Sequence, residues 1–376
     1  MKIGLRVARI SPRDLIQWFC ITETVLLGFV LVLLRDDVLP PRFLADGLLI
    51  GEIARGRAQA DDSYVNVAMV YRFLGLGTRP LLAYTVGYSL AVFAIFLAWR
   101  RSKVDARTWQ GVAIICSAVL LAAVYLGYYS KDVFVTPIAI AALVLPIGRW
   151  SNAALLALMV AYGYWFRQYW LVVAAVFLVL IFVLRRFRPR SLPAWGMAGS
   201  AGLSLAVFVV LDASANSFRS SVNAGRVAED VGTRIDPFVN LVEPLGGVVN
   251  NVLTYWALIL PVPVLFRGGI YYFAIALFIA FIWIVLYRAV RHLEVGEDPL
   301  VVRCVGLSVA LLVTQSLFEP DYGSALRHLT PMLPLVACAV WRGQGARVSI
   351  SGDFGIDRRV VAEQEQGQKE FGLSTA

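Results

Sequence analysis

The feature that most constrains this chain is a succession of apolar runs, each near the roughly 20 residues that a helix needs to cross hydrocarbon. Leu15 to Leu34 is the first, and Ile114 to Leu126 and Leu171 to Leu184 are apolar on nearly every face. A membrane barrel would instead show short segments of alternating polarity, so helices are the spanning solution. Of the 376 residues 59% are hydrophobic and mean hydropathy is +0.72, more apolar surface than one soluble core of this size absorbs. The expected architecture is therefore all-α, a polytopic transmembrane helical bundle.

The charge balance of +9 does not point to nucleic acid, because the basic residues sit beside span ends. Arg100-Arg101-Ser102-Lys103 and Arg185-Arg186-Phe187-Arg188-Pro189-Arg190 follow apolar runs directly, the placement of cytoplasmic anchors. Cys20, Cys116, Cys304 and Cys338 lie inside apolar runs without ligand-type spacing, so neither disulfides nor a zinc site is expected. The first run is followed by Arg-Asp-Asp rather than a small-residue cleavage site and is read as a retained anchor.

Lys2, Arg6, Arg9 and Arg13 precede the first span, which places the N-terminus in the cytoplasm. Further spans are read at about 81–99, 111–129, 133–148, 152–166, 169–184, 195–212, 271–288, 300–318 and 329–341, giving about 10 full spans. Two long outer loops result, about 35–80 and 212–250. Asn251 to Phe266 is apolar enough to cross but carries Pro261 and Pro263, each removing a backbone donor. A re-entrant path is expected there, which keeps Arg288, Arg291 and His292 cytoplasmic. Irregular backbone at that depth must line a protein-walled cavity. Residues 1–342 are thus read as the transmembrane domain and 343–376 as a cytoplasmic disordered tail.

Four charged clusters then share the outer face: the first loop, Ser130-Lys131-Asp132, Arg167-Gln168-Tyr169, and the segment from Glu319 to His328. The last holds Glu319, Asp321, Arg327 and one of the chain's two histidines within ten residues. Simple solvation of a turn containing Pro320 and Gly323 is one reading. The other is a functional site, since charge held against span ends is unfavourable to desolvate. Arg167 lies among Tyr164, Trp165, Phe166, Tyr169 and Trp170. These form either an interfacial aromatic belt or a phosphate-binding fork with ring faces for a sugar. Asp61-Asp62 either cap the helix that follows, bind a cation or act as a base, and Asp36-Asp37 offer the same choices. Glu23, well inside the first span, calls for an intramembrane polar partner. A glycine-rich phosphate loop, a His-Glu-x-x-His helix and a dinucleotide fingerprint are all absent, so any chemistry uses a preactivated substrate.

Asp61-Asp62-Ser63-Tyr64, Tyr129-Ser130-Lys131-Asp132, Phe166-Arg167-Gln168-Tyr169-Trp170 and Phe318-Glu319-Pro320-Asp321-Tyr322-Gly323-Ser324 with Arg327-His328, set on this plan of spans and loops, carry a resemblance. The chain resembles bacterial membrane polysaccharide polymerases of the O-antigen or exopolysaccharide kind (Wzy or EpsG-like) and, more loosely, GT-C glycosyltransferases. Its second outer loop is poor in histidine, which departs from ligase-like members. The resemblance implies a multi-pass protein of the bacterial cytoplasmic (inner) membrane. It would transfer a glycan from a polyprenyl-pyrophosphate carrier to a lipid-linked saccharide acceptor on the outer face. Lys131, Arg167 and Arg327 would neutralise the pyrophosphate, and Asp132, Asp321 or His328 would accept the acceptor's proton. Tyr169 and Tyr322 would contact sugar. The polymerase form needs no metal or other cofactor, whereas a GT-C form would hold a divalent cation on first-loop carboxylates such as Asp62. Partners implied are the polyprenyl-pyrophosphate-linked oligosaccharide, membrane lipid and other polysaccharide assembly proteins, with no nucleic acid. The competing expectations are a transporter or flippase of lipid-linked oligosaccharide, with Lys131, Arg167 and Glu23 along its path, and a non-catalytic scaffold that docks through its tail.

Overall fold

The protein is described from a computed structural model, over residues 11–102, 108–224, 233–266 and 269–345. Lys2, Arg6 and Arg9 and residues 346–376 of the expected tail 343–376 lie outside these residues, whereas 343–345 are helical rather than disordered. In chain order the helices are α1 Pro12–Leu33, α2 Ala45–Ala54, α3 Asp62–Phe73, α4 Pro80–Arg101, α5 Trp109–Tyr125, α6 Thr136–Val144, α7 Arg149–Trp165, α8 Tyr169–Arg186, α9 Leu192–Leu211, α10 Ala215–Ala224, α11 Leu245–Ile259, α12 Ile270–Val290, α13 Pro299–Phe318, α14 Tyr322–Leu329 and α15, 333–345. Among the described residues the only pairing of strand type is an isolated bridge between Arg234 and Asp321.

Six helices are long and apolar enough to cross a bilayer: α1, α4, α8, α9 with the turn from Pro189, α12 and α13. Their outward faces stay apolar, with Phe182 69% and Val210 76% exposed. Water would not tolerate so continuous an apolar surface, and lipid does. This is a helical multi-pass membrane protein. α5 and α11 are apolar but shorter, at 17 and 15 residues, and α15 begins at 333, so six of the expected spans have the length and apolarity to cross among the described residues.

Local sequence sets the helix ends. Ser11 accepts from the Asp14 amide ahead of Pro12, and Asp298 accepts from the amides of Leu300 and Val301 ahead of Pro299. Proline at the first helical position loses no internal bond, and the capping oxygen satisfies amides that have no helical acceptor. At the far end of α6 the buried Arg303 guanidinium collects the carbonyls of Ala142, Leu145 and Pro146, which would otherwise be orphaned.

α13 is buried along almost its whole length and forms the axis of the bundle, with α8, α9 and α11 packed on it. α15 completes the centre, where Leu333 to Trp341 is enclosed. Small residues permit the closest approaches: Gly196 of α9 lies against the Tyr255 phenol of α11, and Gly87 of α4 against the Leu126 carbonyl.

The bundle has two chemically different ends. At one, Arg342 pairs with Asp298 at 2.7 Å and bonds the Arg101 carbonyl, Arg188 pairs with Glu294, and the Tyr287 phenol reaches the Arg190 carbonyl. Those contacts gather the arginine-rich connections around 101, 188, 291 and 342 on a single face. At the other end the connections around 35–79, 126–135, 166–168 and 319–328 meet. The proline-bearing segment follows from these ends. α12 has 21 residues, a length of about 30 Å. It finishes at the basic end, and Tyr271 in its first turn lines the cavity at the opposite end. α11 starts beside that cavity end, where Glu243 accepts from Ser214, and descends antiparallel to α9, with Asn251 bonding the Ser200 carbonyl. α11 is followed by Pro261 and the short helix Val262–Leu265.

Candidate functional site

The turn that begins Tyr128-Tyr129-Ser130-Lys131-Asp132 is drawn into the protein by its own polar groups. Ser130 accepts from the Asp132 amide at 3.1 Å and donates its amide to the Tyr71 phenol, and the Tyr162 phenol donates to the Lys131 carbonyl. The result is a carboxylate, Asp132, only 1% exposed at the top of a membrane bundle.

That charge is compensated by two arginines from distant segments. Arg327 Nε donates to Asp132 Oδ2 at 2.8 Å, and Arg167 Nη2 lies 3.3 Å from Oδ1. Burial alone would raise the Asp132 carboxyl, but Arg167 and then Arg327 overcome it and hold the group well below the usual carboxylate range. Arg327 also bridges to Asp46, Nη1 to Oδ2 at 2.6 Å, while Asp46 accepts from the Tyr64 phenol at 2.9 Å. Burial opposes ionisation of Asp46, and Arg327 again prevails, lowering its carboxyl.

Arg167 connects this acid cluster to a second one. Its Nη1 lies 2.7 Å from His328 Nε2, and His328 Nδ1 lies 2.9 Å from Glu319 Oε2. A guanidinium only donates, so Nε2 presents its lone pair and the imidazole proton resides on Nδ1, donating to the 3%-exposed Glu319. α14 makes this possible: the Asp321 side chain caps it through the Ser324 amide at 2.7 Å, which sets Arg327 and His328 on its last turn.

Lys131 occupies the third position. Its Nζ donates to Ser63 Oγ at 2.9 Å and stands 3.1 Å from the Tyr64 ring centroid. Burial, joined by the nearby Arg167, pulls its ammonium down to about 8 against the support of Asp61, Asp46 and Asp132.

These groups open onto a cavity of about 590 Å³. Lys131, Arg167, Arg327 and His328 line it with the carboxylates Asp46 and Asp321, and aromatic rings such as Tyr64, Tyr125, Tyr128 and Tyr271 line it as well. Gly47 has its Cα against the Tyr128 ring, where a side chain would collide. The segment between α9 and α11 contributes Asn223, Thr233 and Arg234, tied to the Glu319 to His328 segment by the Ile235 amide on the Pro320 carbonyl at 2.9 Å.

Of the residues singled out from sequence, Lys131, Asp132, Arg167, Arg327 and His328 come together, and Asp321 lines the same cavity while capping α14. Asp62 does not join them: it is exposed in the first turn of α3, and Asp61 is the cap, accepting from the Tyr64 amide. Tyr322 is buried beneath the loop and Tyr169 packs beside His328 and Phe318, so neither ring is on the cavity wall. Asp46 was not legible in sequence. It is the only acid in the apolar stretch Phe43 to Ile50, and that isolation was its one signal. Among the described residues no three His, Cys, Asp or Glu side chains gather to hold a metal ion, and the four cysteines are free. No protein-family model, curated protein or solved structure matches the chain.

Proposed function

We propose that this protein is a membrane glycosyltransferase of the polysaccharide polymerase type, acting in the cavity on a glycan linked to polyprenyl pyrophosphate. The observation that carries the reading is the convergence of Lys131, Arg167 and Arg327 on one chamber of about 590 Å³ that aromatic rings also line. Three cations suit a leaving pyrophosphate, and ring faces suit the apolar sides of sugars. The arginine-rich end is assigned to the cytoplasm by the positive-inside bias, which turns the chamber outward. In this reading α5, α6, α7 and α15 also cross, giving ten crossings with the α11 segment re-entrant.

In the reaction an acceptor hydroxyl attacks the anomeric carbon, a new glycosidic C–O bond forms, the bond to pyrophosphate breaks, and the hydroxyl proton passes to a base. Asp132, paired to two guanidiniums and held strongly ionised, is a poor proton acceptor and serves to fix the arginines. His328 is the better base. When Arg167 turns to the pyrophosphate it vacates Nε2, and Glu319 keeps the opposite nitrogen protonated. Donor binding thereby switches on the base.

A flippase would also use Lys131 and Arg167, but Glu23, the third member of that path, is exposed on the outside of α1 and not in the chamber. Alanine at Arg167 and at Arg327 tests the proposal. Polymer should disappear while single lipid-linked repeat units and protein abundance persist, and normal polymer length in both variants would refute it.

A further inference from the structure

Glu23 sits near the middle of α1, the twelfth of its 22 residues, about 16 Å from either end. The two methylenes of its side chain cannot reach headgroups from that depth. Among the described residues no side chain bonds it, and it is exposed. Around it runs an uninterrupted apolar stripe, Phe19, Leu26, Leu27 and Val30, all exposed. The buried face of α1 is the opposite one, where Gln17, Ile21, Gly28 and Val32 pack inward and Gly28 meets Tyr88. Every other deep carboxylate here, Asp132 and Glu319, has a guanidinium or imidazole within hydrogen-bonding reach. Among the described residues Glu23 is the deep carboxylate that faces lipid without one.

We infer that this face of α1 is an intramembrane docking surface for a second membrane protein whose spanning helix carries a lysine, arginine or histidine near mid-depth. Charge complementarity selects that occupant. An unpaired carboxylate in hydrocarbon is strongly unfavourable, and a basic side chain in the same plane removes the penalty for both partners. A second copy of this chain does not serve, because apposed α1 helices would bring Glu23 against Glu23. Nor does any other described span offer an exposed basic residue more than a turn from its end. The stripe around Glu23 then supplies the packing surface, and the carboxylate fixes depth and rotation, as single polar groups do in helix pairs.

The test places a photo-crosslinking phenylalanine analogue at Phe19 and, separately, at Leu26 in the full-length protein in its native membrane, with Val209 of α9 as a lipid-facing control. The expected result is one discrete adduct from both α1 positions and none from Val209. Its yield should fall at least tenfold in Glu23→Leu, and the captured helix should carry a basic residue whose replacement by leucine causes the same loss. Glu23→Leu removes only an unpaired charge from a lipid-facing position, so its abundance should match that of the unsubstituted chain. An adduct of twice this chain's mass, adducts to lipid alone, a yield indifferent to Glu23→Leu, or a captured helix without a basic residue would each overturn the inference.

Discussion

Arg167 donates to Nε2 of His328 at 2.7 Å, so the lone pair that the proposed reaction uses as its base is occupied by the guanidinium proposed to bind the pyrophosphate. Separating these two roles by mutation is the first prediction. In Arg167→Lys the point charge remains but the planar fork that reaches both Asp132 and His328 is lost. Donor binding should weaken and the turnover of bound donor should fall, whereas His328→Gln should lower turnover with little change in donor KM. Steady-state kinetics with a lipid-linked donor separates the two patterns.

Asp132 should be the structural centre of the chamber. Replacing it by asparagine leaves Arg167 without an acid in direct contact and Arg327 with Asp46 alone. Breaking a buried pair of this kind costs about 3–5 kcal/mol. The variant should unfold at a clearly lower temperature in detergent than Arg327→Gln, which removes one partner and leaves Arg167 on Asp132. Because Asp132 and Asp46 are both held below their ordinary values, they stabilise the folded protein above those values and that contribution is lost as pH falls. Acidification should therefore destabilise the unsubstituted chain more than Asp132→Asn, as thermal melts at descending pH will show.

Lys131 gives the protein a stability dependence of the same sign in a more alkaline window. Its folded value, about 8, lies below its ordinary 10.5, so between the two the unfolded chain binds more protons and stability rises with pH through that window. Anion binding moves the other way: above pH 8 the free enzyme loses the ammonium, and donor kcat/KM should fall with a midpoint near 8. Lys131→Arg should flatten that limb. An unchanged profile in the arginine variant would remove Lys131 from the anion site.

A cysteine at Ser324, which lines the cavity, should react with a membrane-impermeant thiol reagent in intact cells. Labelling only after the cytoplasm is opened would put the chamber on the wrong face for a carrier-linked glycan delivered outside.

The fold was legible where hydropathy alone decides it. Runs of apolar residues marked α1, α4, α8, α9, α12 and α13. Hydropathy could not set lengths. α6 ends at Val144 because Leu145 and Pro146 turn their carbonyls to Arg303, a contact across more than 150 positions that no local pattern announces. The site divided in the same way. Lys131-Asp132, Arg167 and Arg327-His328 were conspicuous as charges tight against apolar runs. Asp46 was not, because its value comes wholly from Arg327, 281 positions away. Asp62 stood out beside Asp61, but both are exposed, and Asp61 is spent as the cap of α3.

The most direct measurement of the central proposal is mass analysis of lipid-linked glycans after incubating the purified protein in sealed proteoliposomes with a polyprenyl-pyrophosphate-linked oligosaccharide on one face. The proposed chemistry predicts products heavier by whole repeat units, formed without transfer of label to the opposite leaflet and absent with Arg167→Ala. Label crossing the bilayer with no new glycosidic bond would contradict it.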